Sequence, residues 1–450
     1  MFRQSRCFAL LALLALSCSR KAEPEPKPVV ADAPSATAQP SASVAAAVTP
    51  KKPEPVRPYN VVLIMIDALR ADMPWTGYPR EIAPWLTAFE KRVASYHRAY
   101  SLSSYTAKSV LPALTGHYPS AMARDGYFFT KWMPENEVIT ERAQKAGHRT
   151  LAGHGHGYFL PGMGLDQGFD DYRLLKGTFL DNTGVHDVNS DRLNKLGKEQ
   201  LSDPKNIGQE GNKRFFAYYH YLDPHYSYSK HPGHPDFGNK ARDVYDNEVH
   251  FTDQWVGDFV DWLLEQPFGK QTAVIITADH GEGFGEHNHY RHAYEIWESL
   301  VRVPLLIYVP GATPTRITTP RSHIDLAPTI ADLMGIPPDP TWPGKSLVPE
   351  IFGEEPTARP VIAELPRADL MDRRRALIDG DYKLIAFGDD QSYQLYKVSE
   401  DFKEERDLVK TEPERFEAMK KRYLEVSATI PNVKITGGAP LKGAPAGRGW

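Results

Sequence analysis

The chain has 450 residues, 53 basic against 57 acidic side chains for a formal charge of −4, and is 41% hydrophobic and 24% charged. This is the composition of a globular protein with length for two or three domains. It excludes a disordered chain, a fibre, a disulfide-dense scaffold and a nucleic-acid binder that works by bulk charge. The two cysteines, Cys7 and Cys18, both fall in the first 18 residues, so the body has no disulfide, no zinc–thiolate site and no cysteine nucleophile.

Taken in chain order, residues 1–18 read as an export signal. Arg3 and Arg6 precede the apolar run Phe8–Leu16, which is too short to cross a bilayer as a helix. The run closes on Ala15-Leu16-Ser17-Cys18, which resembles the bacterial lipobox; a plain signal peptide with an incidental cysteine is the alternative. The resemblance implies lipidation of Cys18 and, with Ser19 behind it, an exported lipoprotein in the cell envelope of a bacterium, at the outer membrane. Residues 19–58 hold nine prolines between Pro24 and Pro58 and read as an extended, disordered tether. At the other end residues 431–450, Gly/Pro-rich from Gly437, read as a disordered tail.

The body should begin at Tyr59. Asn60–Ile66, Arg214–Tyr221, Thr272–Thr277 and Val303–Val309 are continuous apolar, β-rich runs, the pattern of strands buried on both faces of a parallel sheet. Helical patterns lie at Trp85–Arg98, Glu135–Ala146, Tyr245–Glu265 and Ile324–Met334. Alternating buried strands and helices predict an α/β, doubly wound, mainly parallel sheet flanked by helices over residues 59–345. In such sheets ligands bind outside the carboxyl ends of the strands, where Asp67, His225, Asp279 and His280 fall. After Ser346 the pattern changes. Asp379–Phe387 and Ser392–Tyr396 read as a hairpin of a small antiparallel sheet, in a C-terminal α+β subdomain spanning 346–430.

Two segments carry chemistry. Asp279-His280-Gly281-Glu282-Gly283, continuing to His292, offers carboxylate and imidazole ligands for a divalent cation, with glycines that let the backbone turn tightly. A solvated His-rich loop is the alternative. Ser103–Pro119 looks like a loop entering a helix with hydroxyls at its start, where a helix N-terminus favours an anion and a partly ionised hydroxyl. An ordinary Ser or Thr N-cap is the alternative there. His154 and His156, within Gly153–Gly157, read as a surface turn, with the pocket wall as the alternative. His97, His117 and His323 read as structural, and His287 and His289 as lid-loop candidates.

Together these pieces resemble the sulfatases of the alkaline-phosphatase superfamily over roughly residues 59–425. The resemblance rests on motifs in the family's order: Asp67-Ala68-Leu69-Arg70-Ala71-Asp72 at a strand end, Leu114-Thr115-Gly116-His117-Tyr118-Pro119, Asp223-Pro224-His225 with Tyr226 and Tyr228, Asp279-His280-Gly281-Glu282, Arg302-Val303-Pro304-Leu305 with Pro310-Gly311, and Ser322–Thr329. It implies an alkaline-phosphatase-like fold and, with Asp381–Leu384 and Leu395-Tyr396, the family's small C-terminal sheet.

The departures bear on mechanism. Sulfatases mature a Cys or Ser in Cys/Ser-x-Pro-x-Arg to formylglycine; here the ungapped position is Thr106, with Lys108 and Val110 where Pro and Arg are expected. A shifted reading would put Ser104 at the nucleophile and Lys108 at the Arg, at the cost of two extra residues before Thr115. Thr106-Ala107-Lys108-Ser109-Val110 instead resembles the nucleophile loop of the superfamily's phosphoethanolamine transferases, which also bind metal through an Asp-His pair and a His thirteen residues beyond the Asp, as Asp279 and His292 are spaced. The resemblance implies a divalent metal held by Asp67, Thr106, Asp279 and His280, with zinc or manganese favoured over calcium because His280 and Ala68 replace oxygen ligands. It implies Thr106 as nucleophile, and His225, His292 and Lys108 around the reacting group; a solvated charge is the alternative for Lys108. The expected activity is hydrolysis of a sulfate or phosphate ester of a glycan, lipid or small molecule. A phospho-group transferase is the rival, disfavoured by the lack of membrane-spanning helices ahead of the domain, and a non-catalytic glycan-binding lipoprotein is the rival of another class. No nucleic-acid partner is expected. Specificity is expected in the segments Lys176–Asn212 and Tyr228–Arg242.

Overall fold

The computed structural model describes residues 54–175, 190–433 and 435. The expected signal peptide with Cys18, the tether up to residue 53 and most of the tail lie outside the described residues. Among those described, no helix is long and apolar enough to cross a membrane.

The apolar run Asn60–Ile66 is β1, buried along its whole length. It lies at the centre of a nine-stranded sheet ordered β10-β2-β9-β6-β1-β5-β3-β4, with β11 also paired to β2. The other strands are β2 (Ala94–Tyr100), β3 (Arg149–His154), β4 (Asp171–Leu174), β5 (Phe215–Tyr221), β6 (Thr272–Ala278), β9 (Arg302–Tyr308), β10 (Thr315–Ile317) and β11 (Arg321–Ser322). A separate two-stranded ribbon joins β7 (Gly283–Phe284) to β8 (Tyr290–Arg291). β1 pairs in parallel with β5 and β6, and β5 with β3; β9 runs antiparallel to both β6 and β2. The sheet is therefore mixed and mostly parallel.

Helices cover both faces, as the two-sided burial of the central strands requires. Val61, Leu63 and Met65 join the apolar cluster that includes α2 (Thr106–Thr115), α3 (Ile139–Lys145) and α8 (Leu326–Leu333). Val62, Ile64 and Ile66 face the cluster that includes α1 (Pro84–Glu90), α4 (Ser190–Ser202) and α6 (Ala241–Glu265). Short helices α5 (Pro204–Ile207), α7 (Glu298–Val301) and α9 (Val348–Ile351) complete the main unit. A four-stranded antiparallel sheet follows, β12 (Val361–Leu365), β13 (Arg374–Asp379), β14 (Tyr382–Phe387) and β15 (Ser392–Tyr396), packed by α10 (Pro413–Ala428). The β13–β14 turn needs Gly380 at φ 58°, which only glycine adopts freely.

Two expectations are corrected. Trp85–Arg98 is not one helix: α1 ends at Glu90 and the chain turns into β2. Partners on both sides, β9 and β10, recruit this stretch into the sheet, so tertiary pairing overrides the local pattern. The segment Lys176–Asn212 is not an open loop throughout, since Ser190–Ser202 is a helix whose Leu193, Leu196 and Leu201 are buried beneath the sheet; residues 176–189 lie outside the described set.

Candidate active site

β1, β5 and β6 are adjacent and parallel, so the residues that follow them leave the sheet at one edge. The register pairs Ile66 with both Tyr221 and Ala278, and Met65 with both His220 and Thr277. Strand side chains alternate, so Asp67, His220 and Asp279 project from the same face, and His154, paired with His220, projects with them. α2 covers that face and begins at Thr106. Its Oγ1 reaches to 3.0 Å from His280 Nε2.

Asp67 is the centre of the cluster. Its Oδ2 lies 3.1 Å from His220 Nε2 and 3.6 Å from His156 Nε2, and its Oδ1 lies 3.7 Å from His280 Nε2. Asp279 Oδ2 is 3.4 Å from His280 Nε2; Asp279 Oδ1 accepts from the backbone N–H groups of Ala68 and His280 at 3.2 and 2.9 Å. Ala68 holds a left-handed backbone, φ 56°, to deliver that bond, a strained conformation for a residue with a Cβ and one that concentrates at functional sites. Burial first, and then Asp279, pushes the Asp67 carboxyl well above the usual range. Burial also acts upward on Asp279, but His280, His220 and the Ala68 N–H outweigh it and hold that carboxyl below its ordinary value.

The hydrogen-bond network determines the tautomers. His280 Nδ1 lies 2.8 Å from the Gly281 carbonyl, which only accepts, so Nδ1 carries a proton and Nε2 is the atom turned to Thr106, Asp67 and Asp279. His220 does the reverse: burial lowers its pKa to about 4, Nε2–H donates to Asp67, and the Tyr218 hydroxyl donates to Nδ1 at 2.7 Å. Two carboxylate oxygens, Asp67 Oδ1 and Asp279 Oδ2, are fully buried with no hydrogen-bond partner among the described residues. Orphaned buried anionic oxygens are costly. Asp67, Asp279 and His280 offer ligand atoms within 4.8 Å of one another, and Asp67, His156 and His225 do the same. The donor set, orphaned and convergent, fits a divalent cation.

The remaining expected residues sort by position. His225 and His292 stand over the cluster, with ring centroids 5.0 Å apart and His292 4.4 Å from the His280 ring. Burial, with the neighbouring His292, lowers His225 to about 3, and burial lowers His292 to about 4. His292 Nδ1 faces Glu282 Oε1 at 3.2 Å, and Glu282 Oε2 accepts from the Tyr228 hydroxyl at 2.8 Å. Ser104 is not at the cluster; its hydroxyl donates to the Glu295 carbonyl, which favours Thr106 over the shifted reading. Lys108 is buried, and its Nζ donates to the Phe128 carbonyl and the Thr130 hydroxyl at 2.8 and 2.7 Å. It is therefore not a solvated charge, and these bonds aim it toward residues 128–130. Burial, then Arg124, lowers its pKa to about 7. His154 and His156 are fully buried, not a surface turn: His154 ends β3 inside the sheet, and the chain carries His156 on to Asp67. Among the residues expected to be structural, His323 Nε2 lies 2.8 Å from the Thr277 hydroxyl.

The sequence reading passed over His220 and gave Glu282 no role. His220 sits inside the aromatic run Phe215–Tyr221, and one signal was available: a lone imidazole in a strand buried on both faces needs a polar partner, and the end of β1 supplies it.

The comparisons with known proteins agree with this architecture. The Sulfatase family model matches residues 59–336, and the model for the C-terminal part of N-sulphoglucosamine sulphohydrolase matches residues 285–428. A choline-sulfatase of Rhizobium meliloti (strain 1021) is 35% identical over 128 residues, 28% of this chain and 25% of that protein. The curated relatives are thus matched over less than half of their own length. Among solved structures, a 2-O GAG sulfatase superposes with a TM-score of 0.69 at 16% identity, covering 83% of this chain and 92% of the other. A phosphonate monoester hydrolase from Silicibacter pomeroyi superposes with a TM-score of 0.65 at 21% identity, covering 83% and 96%; at these identities the likeness is one of fold.

Proposed function

The chain belongs to the sulfatase family, and on that premise we propose that it hydrolyses sulfate or phosphate esters with Thr106 as nucleophile. One observation carries the reading: Thr106 Oγ1 lies 3.0 Å from His280 Nε2, beside the orphaned oxygens of Asp67 and Asp279. A threonine β-carbon carries a methyl group, so Thr106 cannot become the aldehyde of formylglycine and must act through its hydroxyl. Asp67, Asp279 and His280 would hold a divalent ion, zinc or manganese ahead of calcium, whose charge lowers the pKa of a neighbouring hydroxyl and draws in the ester oxygens.

Thr106 Oγ1 attacks sulfur or phosphorus in line as the bond to the leaving oxygen breaks, forming a Thr106 ester. The leaving oxygen gains a proton equal to the one Thr106 gives up. His292 would pass it: its Nδ1 is engaged by Glu282, which leaves Nε2 to carry the proton, and Glu282 would steady the imidazolium while it does so. His225, packed against His292, would offer an N–H donor to the non-bridging oxygens. Water then opens the Thr106 ester and releases sulfate or phosphate. The relatives include a choline-sulfatase and the fold neighbours a phosphonate monoester hydrolase, so sulfur against phosphorus is the variable to test. The lipobox-like Ala15–Cys18 supports a lipid anchor that would hold the domain at an envelope membrane; incorporation of labelled fatty acid that Cys18→Ser abolishes would test it.

The central experiment is turnover of p-nitrophenyl sulfate, p-nitrophenyl phosphate and a phosphodiester by protein stripped of metal and reloaded with zinc, manganese or calcium, with Thr106→Ala as control. Metal-dependent turnover that falls at least ~10³-fold in Thr106→Ala is expected. Turnover that survives in Thr106→Ala would refute the nucleophile. No turnover of any ester by loaded protein would refute hydrolysis and favour transfer to an acceptor alcohol, or glycan binding alone.

A further inference from the structure

We propose that the cavity beside the cluster is a second anion subsite: it takes an ester whose leaving group bears a further carboxylate, sulfate or phosphate, and Arg291 reads that second charge. The proposal deepens the hydrolase reading and rests on it for the position of the scissile ester.

The cavity holds about 640 Å³ between the 226–241 and 283–297 segments, with Tyr226, Tyr228, Phe284, Tyr290, Arg291 and Trp297 in its wall. Its wall is linked to the reacting cluster by hydrogen bonds and by the chain itself. Tyr228 donates to Glu282, which holds His292, and Arg291 immediately precedes His292, standing opposite Gly283 in the β7–β8 ribbon. A leaving group protonated by His292 therefore has this space next to it.

The charge of the wall is uncompensated and positive. Arg291 pairs with no carboxylate among the described residues; its guanidinium carbon instead lies 3.7 Å from the centroid of the Tyr226 ring. Glu295, the carboxylate that also lines the space, is neutralised by Arg374 through two bonds of 3.0 and 3.1 Å. His289 Nε2, in the same wall, is buried with no hydrogen-bond partner among the described residues. A guanidinium stacked on an aromatic face is held flat, with its donor fork free to meet a planar or tetrahedral oxyanion edge-on. The aromatic walls suit the C–H faces of a sugar ring, and Tyr290 is 66% exposed.

The backbone is set for the task. His287, Asn288, Arg291, Ala293 and Tyr294 all have positive φ, between 53° and 67°. Non-glycine residues adopt that region sparsely, and such residues gather at ligand clamps. Arg291 in this stretch lines the cavity, and its neighbour His292 packs on His280 of the cluster.

The test is isothermal titration of the full-length Thr106→Ala protein, which blocks turnover, with matched sugars bearing one or two anionic groups. N-acetylglucosamine 6-sulfate against glucosamine N,6-disulfate reads a second sulfate. A hexuronate 2-sulfate against its methyl ester reads a carboxylate. In at least one pair the doubly charged sugar should bind 10-fold or more tightly, and Arg291→Ala or Arg291→Gln should erase that difference; Arg291→Lys should recover part of it, since an ammonium keeps the charge and loses the fork. Equal binding within both pairs, no binding by any sugar, or an Arg291→Gln loss equal for singly and doubly charged sugars would overturn the proposal. The two readings fail separately: p-nitrophenyl ester turnover tests hydrolysis, and the binding contrast does not depend on turnover.

Discussion

Replacing His220 with phenylalanine removes the N–H that holds Asp67 while keeping an aromatic ring in the strand. His220 Nε2–H lies 3.1 Å from Asp67 Oδ2 with both side chains fully buried. A hydrogen bond to a buried charged group contributes roughly 1.5–3 kcal/mol. At about 1.4 kcal/mol per factor of ten, affinity for a divalent ion should fall about 10- to 100-fold, the range found when an outer partner of a metal ligand is lost. The variant also strands the Tyr218 hydroxyl, whose 2.7 Å bond ends on His220 Nδ1, so the apoprotein should lose roughly 1–3 kcal/mol of stability. Adding Tyr218→Phe separates the two effects. The double variant should recover the share of stability lost at Tyr218, because that hydroxyl is then gone, but neither the share lost at Asp67 Oδ2, which still lacks its donor, nor any of the metal affinity. Zinc affinity by competition with a chromophoric chelator, alongside urea unfolding of the apoprotein, reads both. Affinity within twofold of wild type in both variants would refute the reasoning, because Asp67 would then need no orientation by His220.

Other expectations concern the frame of the site. Asp253 reaches from α6 to accept the Trp85 and Leu86 N–H groups at the start of α1, at 2.8 and 2.7 Å, and burial raises its pKa to about 7. The folded chain therefore binds the extra proton between about pH 4 and 7, and stability falls as pH rises through that window, by on the order of 4 kcal/mol at most; urea midpoints at pH 5 and 8 should converge in Asp253→Asn relative to wild type, and an unchanged difference would contradict the shift. Gly281 donates to the Leu300 carbonyl at 2.8 Å, and a Cβ there would meet the Ser299 carbonyl oxygen at 2.1 Å. Gly281→Ala should thus cost roughly 1–3 kcal/mol and displace His280, seen as a drop in both urea midpoint and metal affinity; a drop in neither would show that the backbone yields. Lys383 is buried between Glu298 and Glu404, at 3.3 and 2.9 Å. Lys383→Met leaves Glu404 without its cation and Glu298 with only Arg302 at 3.9 Å, and should destabilise by roughly 3–5 kcal/mol, whereas the triple exchange of Lys383, Glu298 and Glu404 for apolar residues should restore much of it; equal stability of wild type and Lys383→Met would show the triad to be energetically idle.

What the amino-acid order determined by itself is whatever depends on neighbours in the chain. Asn60–Ile66 and Thr272–Ala278 are apolar without alternation, and such runs can be satisfied only between two helical layers, so the central strands and the polar residues that end them, Asp67 and Asp279, were legible. Thr106 was legible only through the resemblance, since a hydroxyl at a helix start alone is equally an ordinary cap. The tertiary structure decided what depends on register and on which face a side chain takes. His220 is one aromatic-like residue in Phe-Phe-Ala-Tyr-Tyr-His-Tyr until its pairing with Met65 sets it on the face of Asp67. Ala94–Arg98, the end of the helical pattern from Trp85, reads as helix until β9 and β10 offer it partners on both sides. His156, Glu282 and the aim of Lys108 depend on chain returning from 20 to more than 80 residues away, Phe128 in one case and Asp67 in another. Periodicity records burial within an element, because an element's own backbone imposes it; convergence of side chains from four strand ends and a helix start is a property of the sheet that no single window contains.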